Sequence, residues 1–156
     1  MGTLNVTGAG GTAGHPSNGR VPYLVENTID LSQIRADTGP DQNDVLQCID
    51  IPAETLVMAG GIEVLTAASS SVTMDLGDGT TADIFVGGKD NSTGFSAVHG
   101  DVVSIGKIYG SADTLDVTIL GAASSAGKIR VFAVMVDISG IDENDRNTAA
   151  QHDTAS

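Results

Sequence analysis

Three groups of residues have types or spacings that could support chemistry. The first is the run Leu4-Asn-Val-Thr-Gly-Ala-Gly-Gly-Thr-Ala, where Gly8, Gly10 and Ala13 match the G-x-G-x-x-G/A spacing of a dinucleotide-binding turn. Such a turn works where a helix begins at the glycines and its N-terminal amides hold a pyrophosphate. Here Gly14-His-Pro-Ser-Asn-Gly follows, and Pro16 breaks a helix at once. No alternation of strand and helix comes after it, so the match stands alone.

The second group is Asp75, Asp78 and Asp83, with Asp90 and Asn91 further on, which could offer oxygen ligands to calcium. The alternate-residue spacing and closing glutamate of a calcium loop are missing. Asp and Gly at Leu76-Gly-Asp-Gly read first as a turn, because these residues accept unusual backbone angles. A structural calcium remains the alternative. The third group is His99, Asp101, Ser104 and Ser111, the residue types of a hydrolytic triad. A triad needs a buried orienting carboxylate and an oxyanion hole, and a short polar stretch supplies neither. His15, His99 and His152 lack metal-ligand spacing, and Cys48 has no second cysteine to pair with. Asn5-Val-Thr and Asn91-Ser-Thr match the glycosylation pattern, which has no consequence without secretion. The residues therefore assign no catalytic group, no cofactor and no metal site, and point away from an enzyme.

The elements that would have to position such groups are β-strands. Val45–Ile51 alternates, with Leu46 and Cys48 expected opposite Val45, Gln47, Ile49 and Ile51, and Pro52 ends it. Leu56–Leu65 reads as a strand with a bulge or bend at Gly60-Gly61. Val72–Leu76, a short Ile84–Val86, Val102–Ile105, Leu115–Ile119 and Ile129–Ile138 complete the set. The last is apolar on both faces: Ile129, Val131, Ala133 and Met135 on one, Phe132, Val134, Val136 and Ile138 on the other. That pattern fits a central strand, or one covered by a neighbouring subunit. Tyr23–Leu31 alternates partly and makes a further strand. Short strands with glycine-rich turns predict an all-β single-domain sandwich, most simply a jelly roll. Residues 1–22 are too glycine-rich and polar to fold alone and read as a flexible arm; 23–139 form the domain, and 140–156 a polar, flexible tail.

Composition narrows the function. The 156 residues fit one domain; aromatics are 3% and there is no Trp, which suggests a thin core without a ring-lined pocket. The formal charge of −13, from 20 acidic against 7 basic residues, disfavours binding to nucleic acid and favours solubility. No apolar run is long enough for a membrane span and no signal peptide is legible at Met1, so cytoplasmic synthesis is expected.

The segments Val45-Leu-Gln-Cys-Ile-Asp-Ile-Pro-Ala-Glu-Thr-Leu-Val, Val72-Thr-Met-Asp-Leu-Gly-Asp-Gly-Thr and Lys128-Ile-Arg-Val-Phe-Ala-Val-Met-Val-Asp-Ile resemble small structural proteins of tailed bacteriophages, especially of cyanobacterial and marine hosts. The resemblance spans residues 24 to 139 and carries no catalytic motif. It implies a virion component of the capsid cement or decoration type: a homotrimeric β-sandwich on the outer shell, bound to the major capsid protein, with an arm across capsomers. A tail, fibre or head–tail adaptor component is the alternative, and a carbohydrate-binding module a more distant one. Tyr23, Leu24 and Val25, next to the glycine-rich arm, are the expected capsid or inter-subunit contacts; otherwise they form the domain's own first strand.

Overall fold

The computed structural model describes residues 20–92, 94–97 and 106–139. Residues 1–19 of the expected arm, the expected strand at Val102–Ile105, the tail from 140, and Gly8, Gly10, Ala13, His15, His99, Asp101, Ser104 and His152 lie outside them.

Two antiparallel sheets form a sandwich. One has the order β1-β9-β3-β6: β1 (Tyr23–Asp30), β9 (Lys128–Asp137), β3 (Thr55–Thr66) and β6 (Gly94–Ala97), with β7 (Lys107–Tyr109) also paired to β3. The other has the order β2-β8-β4-β5: β2 (Val45–Ile51), β8 (Asp113–Leu120), β4 (Thr73–Gly77) and β5 (Val86–Asp90). A short 3-10 turn, Leu31–Gln33, follows β1; Asp30 caps it by accepting a hydrogen bond from the Ser32 amide. One core fills the space between the sheets. Val57, Ile62, Val64, Ile129, Val131, Ala133 and Met135 enter it from the first sheet, and Ile49, Ile51, Met74, Leu76, Leu115, Val117 and Ile119 from the second.

Three local expectations are corrected. In β2 the register slips between Gln47 and Ile49. The bulge at Cys48 inverts the alternation, so Leu46 shares the core side with Ile49 and Ile51 instead of opposing them. In β3 the register slips between Val57 and Ala59, at Met58, and again between Val64 and Thr66, and not at Gly60-Gly61. Those glycines answer a packing need: a Cβ on Gly60 would lie 3.2 Å from the Phe85 ring, and one on Gly61 2.3 Å from Phe132. The strand expected at Ile84–Val86 begins only at Val86, because Ile84 and Phe85 belong to a loop that turns them into the core. The Phe85 amide donates to the Leu76 carbonyl at 2.9 Å, which holds that loop against β4.

The connector after the 3-10 turn contains three consecutive left-handed residues, Arg35, Ala36 and Asp37, at φ 53°, 51° and 72°. Arg35 ion-pairs with Asp41 and with Asp44 (2.8 Å to the latter), tying the connector to itself. Gly39, at φ +79°, then passes so close to Ser124 that a Cβ would stand 1.8 Å from its carbonyl oxygen.

Candidate interaction face

The outward side of the β1-β9-β3 sheet is divided into two halves. Side chains alternate across a strand, so residues 128, 130, 132, 134 and 136 of β9 face away from the core. At one end the outward residues are charged and paired. Lys128 lies 3.7 Å from Asp30, its partner on β1. Arg130 lies 2.5 Å from Glu63 on β3 and 3.6 Å from Glu26 on β1. Towards the other end the same face becomes apolar. Val134 sits between Leu24 of β1 and Ala59 of β3, and Val136 beside Leu56, which in turn faces Ile108 of β7. Leu24, Met58 and Ile108 are well exposed, at 61%, 45% and 64%. Leu24, Glu26, Arg130, Phe132 and Val134 line an open groove of about 280 Å³ across the boundary between the halves.

This arrangement divides the three residues expected as contacts. Tyr23, Leu24 and Val25 pair with Met135, Val134 and Ala133, so they are the first strand of the domain's own sheet. Leu24 points outward; Val25 is half-buried and packs on the core. Met58, Ile108, Phe132 and Val134 share the outward face with Leu24; Met58 and Ile108 were not singled out in the sequence. The signal for Phe132 and Val134 was present in the two-sided apolarity of β9. Met58 follows the core residue Val57 and sits at the register slip beside Ala59.

The acidic residues considered as calcium ligands act separately. Asp75 accepts from the Gly88 amide at 2.6 Å, and Asp90 accepts from Lys89 at 2.9 Å and from the Ser92 amide. Asn91 donates to the Ser70 carbonyl. Asp78 has the largest structural role. Its Oδ1 accepts from the amides of Thr80 and Thr81, each at 2.9 Å, and its Oδ2 accepts from Tyr109 Oη at 2.7 Å and from Lys107. The carboxylate thus joins the β4 turn to β7. Burial alone would raise its pKa, but the bonds from Lys107, Tyr109 and the two amides outweigh that and hold it at about 2. Burial and the Asp78 carboxylate push the Tyr109 phenol well above its ordinary range, so it keeps the proton that it donates to Asp78. Asp116, also buried, has an Oδ1 with no hydrogen-bond partner; burial, then the Asp113 and Asp78 charges, raise its pKa. Burial lifts the Cys48 thiol to about 12. Among the described residues no three His, Cys, Asp or Glu side chains are grouped to hold a metal ion, and no helix is long and apolar enough to cross a membrane.

No family model and no curated protein matches this sequence. Solved structures do match it. A chain of the cyanophage Pam1 capsid asymmetric unit superposes with a TM-score of 0.62 at 14% identity, over 87% of this chain and 99% of that one. The fold is one found in phage capsids. A chain of the acidic stable capsid structure of Helicobacter pylori bacteriophage KHP30 superposes at 0.56 with 18% identity, covering 78% of this chain and 91% of the other. One from the capsid of Ralstonia phage GP4 does so at 0.57 with 11% identity, covering 76% and 86%. In each case most of both chains takes part, so the shared unit is nearly the whole sandwich.

Proposed function

We propose that this chain is a structural protein of a phage virion that binds the outer surface of the capsid and stabilises contacts between capsomers. The observation that carries this reading is the near end-to-end match to chains of capsid structures at TM-scores of 0.56 to 0.62. The strand orders β1-β9-β3-β6 and β2-β8-β4-β5 support a jelly-roll reading of the sandwich, with β7 as an addition. The apolar outward half of the first sheet supports an assembling role, since an exposed patch of several large side chains marks a surface that is covered in use. Its partners in this reading are the major capsid protein and further copies of itself, a homotrimer being the simplest arrangement. Tyr23, Leu24 and Val25 belong to the contact region through β1, with Leu24 as its outward member.

The mechanism is binding linkage. A protein that binds only the assembled shell adds its binding free energy to what must be overcome before subunits separate. Several copies engaged together add avidity. No bond is made or broken, and the chain acts without catalysis or cofactor. The test is to add the purified chain to shells lacking it and follow their thermal opening. An upward shift that saturates with added chain supports capsid stabilisation; saturable binding at the tail or portal alone would assign the adaptor role instead.

A further inference from the structure

We infer that the open edge of β1 takes up an extended segment of a partner protein as an added strand, one that sets an apolar side chain opposite Leu24 and a basic one opposite Glu26. In the two sheets the end strands are β1 and β6, and β2 and β5. An end strand offers unpaired backbone N–H and C=O groups, and proteins guard such edges with bulges, proline, lysine or short length. Three of the four are guarded. β2 slips in register at Cys48, β5 has five residues and slips against β4, and β6 has four residues. β1 runs eight residues in unbroken register with β9 and contains no proline or lysine. Among the described residues no strand pairs with its other side. Asn27 donates to the Cys48 carbonyl at 2.9 Å, which fixes the inward row of β1 against β2 and leaves Leu24, Glu26 and Thr28 as the outward row.

The outward row decides what the added strand carries, because directly opposite residues interact most strongly across a sheet. On β9, Leu24 faces Val134 and Glu26 faces Phe132. Arg130 faces Thr28 and, on β3, Glu63, from which it lies 2.5 Å away. Glu26 reaches Arg130 only along the diagonal, at 3.6 Å, and its side chain is 53% exposed. Glu26, Asp30 and Glu63 thus share Arg130 and Lys128, which leaves one negative charge in excess beside the groove lined by Leu24, Phe132 and Val134. A carboxylate opposite Glu26 is repelled, and an apolar residue there desolvates it without a partner. A lysine or arginine pairs with it, and the aliphatic stem lies along the apolar lining. The net charge of −13 draws such a segment in. Opposite Leu24, beside Val134, the matching residue is apolar. The inference deepens the capsid reading and rests on it only for the source of the segment, which is then a shell subunit.

The purified full chain tests it without any particle. The probe is the capped peptide Thr-Gln-Arg-Thr-Ile-Thr-Arg-Gln, whose isoleucine has an arginine two positions away on each side so that either strand direction fits. Its counterpart carries glutamate in place of both arginines. Amide resonances of Tyr23–Asp30 and of β9 are expected to shift saturably at millimolar peptide. The arginine peptide should bind roughly fivefold more tightly than the glutamate one, about what an exposed ion pair supplies. Glu26→Lys should reverse that preference while the β circular-dichroism signal persists. Methylating the peptide nitrogens along one edge of the probe should abolish binding, and methylating those of the other edge should not. No saturable shift, shifts centred away from β1, or equal binding of the two peptides would overturn the inference. So would a β1 edge already closed by a second copy, seen as a mass above one chain in sedimentation with Tyr23–Asp30 amides protected from exchange and unmoved by peptide. None of these outcomes bears on the presence of the chain in particles, so failure here leaves the virion reading standing.

Discussion

Phe132 fills the space a side chain at Gly61 would need: a Cβ on Gly61 would lie 2.3 Å from Phe132 Cζ and 2.8 Å from Cε1. The two residues are register partners across β3 and β9, so the ring lies over the neighbouring backbone. Gly61→Ala is expected to cost about 1–3 kcal/mol, the usual range for forcing atoms into a filled site. In a Phe132→Ala background the same change should cost little, because the ring is gone. Denaturant unfolding of the four chains gives the coupling directly; additive losses would mean that the ring does not set the cost.

Acid should weaken the fold through Asp78. Its carboxyl sits at about 2 in the folded chain, below the ordinary aspartate value of 3.8. A depressed carboxylate contributes stability that is complete above the unfolded pKa and is lost as pH falls through the folded one, so the window is about pH 4 down to 2. With its side chain fully buried, the contribution is on the order of 2 kcal/mol. Asp78→Asn should remove this acid-sensitive part and cost about 3 kcal/mol at neutral pH by leaving Lys107 without its buried partner. Urea midpoints from pH 2 to 7 check both statements.

Asp116 should act in the opposite sense. Its pKa is raised by burial and by the Asp113 and Asp78 charges, so the folded chain holds that proton more tightly than the unfolded one. Stability from this group falls as pH rises from the unfolded value through the folded one, then stays level. Asp116→Asn is expected to be at least as stable as the natural chain at pH 7 and to lose that advantage at pH 4. A variant weaker at pH 7 than at pH 4, relative to wild type, would contradict this.

Cys48 should resist thiol reagents until the chain unfolds. It is 7% exposed, lies in the β2 bulge, and has a thiol lifted to about 12. The thiolate is the reactive form, so labelling at pH 8 should track the opening of β2 from β8. Rapid labelling of the native protein would show that this edge opens readily.

The strands with strong alternation were legible in the sequence. Val45–Ile51 ends before Pro52 as expected, and β9 covers Lys128–Asp137 against an expected Ile129–Ile138. The bulges at Cys48 and Met58 were not legible, since a bulge is set by pairing with another strand and a single strand's alternation does not record it. β6 and β7 were missed because Gly94–Ala97 and Lys107–Tyr109 are too short for a period to show. β5 was displaced because it carries Gly87, Gly88 and a buried Lys89, which read as a turn and a surface charge. Of the residues on the outward apolar face, Leu24 was singled out in the sequence from its place beside the glycine-rich segment. Ile108 and Met58 were not, because they join Leu24 only after β7 and β1 flank β3 and β9 in one sheet.

The most direct test of the virion reading is the copy number of this chain in purified phage particles, by quantitative mass spectrometry against the major shell subunit. The expected result is a fixed ratio of copies spread over the shell, near one per shell subunit if every capsomer contact is clamped. A few copies per particle would contradict capsid decoration and assign the chain to the tail or portal, and its absence from particles would contradict a virion role altogether.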